Sequence, residues 1–177
     1  MKPVILACVL LITTAVHAQN CLSGRPILRD SLPCMEKALS LDGANIRGKS
    51  INEVVNIMCD HLPFARGSSV LVYIEHMEGS TVTTLFEFND GKCEKSMVSI
   101  SYPLEYTSKR DRDVGMFLNR FNESYSPRYN RLDQSQYTAR RDELRAIYLW
   151  EDTYSFVQLN VTEARNNSTV EITRRYQ

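Results

Sequence analysis

The sequence predicts an α+β protein that is mostly antiparallel β. Three observations carry this. The stretch from residue 68 to the end alternates apolar and polar residues in short runs, the period of half-buried strands. Those runs are separated by turn-forming pairs such as Asn89-Asp90-Gly91-Lys92. The stretch before Ser68 has helical spacing instead, so a helical or irregular segment (19–67) precedes a β meander (68–177) in one domain.

The chain opens on Met1-Lys2, an apolar run from Val4 to Val16, and Val16-His17-Ala18. This is the layout of a secretory signal peptide, residues 1–18, cleaved after Ala18. The run is shorter than the roughly 20 residues a membrane-crossing helix needs, so no membrane span is expected. Cleavage removes Cys8 and leaves Cys21, Cys34, Cys59 and Cys93. An even count in a secreted chain reads as two disulfides, with three pairings open and buried free thiols as the alternative. Cys34–Cys59 would staple two neighbouring helices, leaving Cys21–Cys93 to tie the N-terminal arm to the sheet.

The first helix runs from Cys34 to Leu41 and ends at the turn pair Asp42-Gly43. The second follows Ser50-Ile51-Asn52-Glu53, a capping box, with Ile51, Val54, Val55, Met58 and Leu62 on one face and Pro63 as its stop. Val70 to Ile74 is the first strand, and Glu78-Gly79-Ser80 is a turn. Thr81 to Phe88 places Val82, Thr84, Phe86 and Phe88 on one face, and Met97 to Tyr102 alternates again before Pro103.

Residues 105–143 do not declare themselves and are counted as two strands. They interleave Lys109, Arg110, Arg112, Arg120, Arg128, Arg131, Arg140 and Arg141 with Tyr106, Tyr125, Tyr129 and Tyr137. Asp111, Asp113, Glu123, Asp133, Asp142 and Glu143 lie among them and cancel the field a nucleic-acid surface would need. The whole chain agrees, with 21 basic and 21 acidic residues. Nucleic acid is therefore not an expected partner. Leu144 to Trp150 is apolar on both faces, as a buried strand would be. Ser155 to Val161 follows a turn at Glu151-Asp152, with Val157, Leu159 and Val161 facing a core. Asn166-Asn167 is a further turn, and Val170 with Ile172 marks the last strand. About eight strands after Ser68 suit a sandwich or a closed barrel.

Four sequons, at Asn122, Asn160, Asn166 and Asn167, agree with export. Strand parity sends Asn160 to solvent, and the adjacent Asn166 and Asn167 are too close to carry two glycans. No nucleophile elbow, phosphate-binding glycine loop or His-Glu-x-x-His is present. His61 and His76 are isolated and the cysteines lack a Cys-x-x-Cys, so neither catalytic residues, nor a metal site, nor a cofactor is expected. The protein is read as a non-enzyme.

Leu149-Trp150-Glu151-Asp152-Thr153-Tyr154, followed by Val157 and by Arg174 or Arg175 after a final strand, resembles the late motifs of lipocalins. In that family an acidic, Thr or Asp, Tyr turn joins two barrel strands and an Arg closes the barrel's end. Gly48-Lys49-Ser50 stands where the family has Gly-x-Trp, so the signature Trp is missing, and the chain ends where a lipocalin continues into a helix. The resemblance covers about the last 30 residues and the general meander. It implies an up-and-down, lipocalin-like eight-stranded barrel around a small apolar or amphipathic ligand, with inward-facing aromatics as its lining. Tyr73, Phe86, Phe88, Tyr148 and Trp150 are the candidates. The expected function is that of a secreted, extracellular ligand-binding glycoprotein. A secreted protein-interaction module, whose partner is an extracellular protein and which has no internal ligand, is the alternative.

Overall fold

A computed structural model describes residues 34–41, 43–58, 61–131 and 145–177. The signal peptide, Cys21 and Cys59 lie outside the described residues, as does most of the second half of 105–143.

Among the described residues three short helices come first: α1 (Cys34–Ser40), α2 (Gly43–Ile46) and α3 (Ile51–Ile57). The capping box starts α3 as expected. Glu53 N–H donates to Ser50 Oγ at 3.4 Å while Ser50 N–H donates to Glu53 Oε2 at 2.8 Å. Val54 and Met58 are fully buried, and Ile51 and Val55 pack beside them. The helix ends sooner than its sequence face implied, so Leu62 falls outside it and is 71% exposed.

Strands β1 (Ala65–Arg66), β2 (Val70–Met77), β3 (Ser80–Asn89) and β4 (Lys92–Pro103) form one antiparallel meander. A single 3-10 turn (Leu104–Tyr106) leads into α4 (Thr107–Ser124). The second meander is β5 (Ser126–Arg131), β6 (Arg145–Glu151), β7 (Ser155–Glu163) and β8 (Asn167–Tyr176). The expected β3–β4 hairpin is present. Asp90 and Gly91 both have positive φ, 48° and 74°, as a two-residue primed turn requires.

Two expectations are corrected here. Residues 105–131 hold one helix and one strand, not two strands. Their helical stripe is Val114, Phe117, Leu118 and Phe121, at i, i+3, i+4 and i+7, with Phe117 and Phe121 buried. The sheet is also not closed into a barrel. Its order is β1-β2-β3-β4-β8-β7-β6-β5, so β8 pairs with β4 and joins the two meanders, leaving β1 and β5 as the edges.

Sheet parity assigns the core. Val82, Thr84, Phe86 and Phe88 are buried on β3, as are Val98, Ile100 and Tyr102 on β4, Val157 and Leu159 on β7, and Val170 and Ile172 on β8. The same face receives the helices: α1 packs on β3 and β4, and α4 on β4 and β8. Side chains from α1, α2, α3 and α4 enter that one core, so helices occupy the face a barrel would keep for its lumen. The disulfide staples find no support. Cys34 and Cys93 are both buried free thiols, and burial pushes each thiol up to about 12.

Candidate functional site

Among the described residues a half-open cleft of about 510 Å³ lies at one end of the helical layer. Leu39 and Ser40 of α1, Ala44 of α2, Arg120, Phe121 and Ser124 of α4, Tyr125, the Asp152–Tyr154 turn and Arg174 of β8 line it.

Each wall has a local cause. Glu75, on β2, accepts the first N–H groups of α1 with its carboxylate, Cys34 at 2.6 Å and Met35 at 3.0 Å. An anion on unpaired N-terminal donors fixes the helix to the sheet and so places Leu39 and Ser40. Gly43 lets α2 approach the opposite wall. A Cβ there would stand 2.7 Å from Tyr154 Cβ, closer than packed carbon atoms come. Asp152 ties its own turn, with Oδ1 accepting from Tyr154 N–H at 2.7 Å and from Ser155 Oγ–H at 3.1 Å. Gln177 N–H donates to the Tyr154 carbonyl at 2.9 Å and holds the turn from the C-terminal side.

The floor is aromatic on one side and cationic on the other. Tyr125, Phe121, Trp150 and Tyr148 form a ladder that runs from the cleft into the core, with successive ring centroids 5.9, 5.1 and 6.2 Å apart. Trp150 Nε1–H donates to Asn122 Oδ1 at 2.9 Å, which satisfies a wholly buried indole. Arg174 is 4% exposed. Its Nη2 donates to Tyr125 Oη at 2.8 Å, and the Tyr125 ring centroid lies 5.7 Å from its Cζ. Arg120 across the cleft pairs with Glu36 at 2.9 Å. At the end of β8, Tyr176 shares a 2.8 Å hydrogen bond with Ser96, and burial raises its phenol above the usual range.

The aromatic residues singled out by sequence lie deeper. Tyr73, Phe86, Phe88 and Trp150 are buried core, Tyr73 and Phe86 meeting edge to face at 6.3 Å, and Tyr148 is half-buried. None of the five lines the cleft, although Trp150 touches its Phe121 wall. Of the residues that carried the lipocalin resemblance, Asp152, Thr153, Tyr154 and Arg174 line the cleft, whereas Leu149, Trp150, Glu151 and Val157 do not, and Arg175 is exposed. Leu39, Ala44 and Phe121 had no individual sequence signal, and Arg120 and Tyr125 figured only in the Arg–Tyr interleave whose acids cancel its field. The stripe of α4 that ends at Phe121 was the one trace available.

Among the described residues no group of three or more His, Cys, Asp or Glu side chains gathers as a metal site, and no helix is long and apolar enough to cross a membrane. His76 is exposed, its ring Nδ1 3.3 Å from Thr81 Oγ1. Comparison with protein-family models, curated proteins and solved structures finds no match.

Proposed function

We propose that this protein is a secreted glycoprotein that binds a small amphipathic molecule in the cleft between α1, α4 and the β6–β7 turn. The observation that carries this reading is the cleft itself. Its volume lies in the usual range of small-molecule sites, and it combines apolar and aromatic walls with a few converging polar groups. The reading keeps the apolar or amphipathic ligand expected of a lipocalin-like chain and moves it from a barrel lumen to the open end of the helical layer. The role is binding, not catalysis.

Export rests on the N-terminal segment and on the sequons. Asn166 and Asn167 sit exposed at the β7–β8 turn, one glycan's worth of sites. Asn160 lies on the sheet face away from the helices, paired in register with Ile147 and Glu171. Asn122 is exposed on α4, and its Oδ1 serves Trp150. A glycan on Nδ2 of Asn122 leaves that acceptor in place.

Trp150 makes the test practical, because ligand contact with Phe121 is felt 5.1 Å away at the indole. Fatty acids, retinoids, sterols and biogenic amines titrated in turn are expected to give saturable quenching of Trp150 for at least one class. Flat titrations throughout would contradict the reading. A second reading, docking of an extracellular protein, draws on Leu62 and Phe64, which are 71% and 73% exposed beside the β1 edge. It predicts that a Leu62→Asp, Phe64→Asp double variant loses a protein partner while the ligand titration is unchanged.

A further inference from the structure

Among the described residues two arginines are buried, and their surroundings differ. Arg110, on α4, is 7% exposed and fully provided for. Its Nε and Nη2 donate to Asp111 Oδ1 at 2.9 and 2.7 Å, and its Nη1 pairs with Glu163. Burial opposes its charge, and the two carboxylates more than offset that, so its pKa is raised. Arg174, on β8, is buried more deeply and has no carboxylate at all. Only Nη2 is bonded, to a neutral phenol, while Nε and Nη1 are shut off from solvent with no hydrogen-bond partner. A guanidinium is a permanent cation, and a buried one without an anion is unfavourable.

Two described acids at the cleft are engaged elsewhere. Asp152, which lines the same cleft, turns Oδ1 to its own turn, and Glu36 is paired with Arg120. Among the described lining residues two cations therefore face one acid, and Arg120 alone of the two is paired with a carboxylate. We infer that the missing anion comes with the ligand: the cleft takes an amphipathic acid, its carboxylate or phosphate pairing with Arg174 and its apolar body lying along Leu39, Phe121 and Tyr154. The Nη1–Nη2 edge is the fork a carboxylate or phosphate engages with two parallel hydrogen bonds. Tyr125 Oη now holds one of those two nitrogens and yields it to the entering oxyanion. Tyr125 is the half-buried residue at which α4 ends and β5 begins, at the rim between helix and sheet.

This inference rests on the cleft being the ligand site, and the test separates the two claims. Decanoate, decyl phosphate and decanol share one tail and differ only in headgroup; each is titrated calorimetrically into the folded chain. At least one of the two anions is expected to bind tenfold or more tighter than decanol, and their order names the headgroup. Arg174→Met is expected to erase that preference and keep decanol binding. Should Arg174→Met fail to fold, the ¹⁵N guanidinium signal of Arg174 in the unaltered protein decides: it moves with the preferred anion and not with decanol. Equal affinity for all three probes overturns the anion while leaving the cleft reading intact. Binding by none of them overturns both.

Discussion

Ser50 and Glu53 show how much a four-residue pattern can specify. Their reciprocal bonds close the start of α3, and loss of an N-cap hydroxyl typically costs about 1 kcal/mol. Ser50→Ala is therefore expected to lower the thermal midpoint by a few degrees, measured by circular dichroism. The bonds from Ser50 hold the Glu53 carboxyl below its ordinary pKa. A carboxyl depressed in the folded state stabilises above its unfolded pKa and loses that contribution as pH falls through the folded value. The Ser50→Ala deficit is thus expected at neutral pH and should shrink in acid, as denaturant melts across that range would show. Cys34 and Cys93 make the opposite residue-scale case. The even count of four cysteines in an exported chain suggested staples, whereas the environment of these two is that of core side chains, 1% exposed each. With thiols pushed to about 12, native alkylation by iodoacetamide is expected to spare both, and unfolding should expose both to labelling. Disulfide-linked peptides containing either residue would contradict this.

At the scale of elements, strands were legible and the long helix was not. Alternation at Val82, Thr84, Phe86 and Phe88 maps directly onto burial, because one sheet face is covered and a one-residue slip would expose the whole set. In α4 the apolar stripe is short and crowded by charges, and its buried set includes Arg110, a residue that periodicity counts as polar. Beside its neighbour Asp111, that arginine is met by Glu163 of β7, a tertiary fact with no local signature. Phe121 is where the helix matters most, since it belongs to both the core and the cleft wall. Phe121→Ala is expected to destabilise the fold by about 3–5 kcal/mol. Gly43→Ala would press its new methyl against Tyr154. It is expected to leave the strands unchanged by circular dichroism but weaken ligand binding, because the wall that must yield belongs to the cleft.

At the scale of the molecule, barrel closure turned on one pairing. A meander of consecutive neighbours can close on itself, but here α4 carries the chain across and β8 returns to β4, so the edges are β1 and β5. Neighbour order of this kind is not encoded in alternation, which reports faces and not partners. The candidate site was legible in fragments for the same reason. Asp152, Thr153, Tyr154 and Arg174 drew notice as a motif, yet their meeting with Leu39 and Phe121 depends on Glu75 docking α1 and on α4 crossing the sheet. The central claim is that a ligand lodges in this cleft and not among the inner aromatics. Amide and side-chain NMR shifts followed during a decanoate titration test it most directly. The account predicts saturable shifts clustered at Leu39, Ala44, Phe121, Tyr154 and Arg174; shifts centred on Tyr73, Phe86 and Phe88 would contradict it.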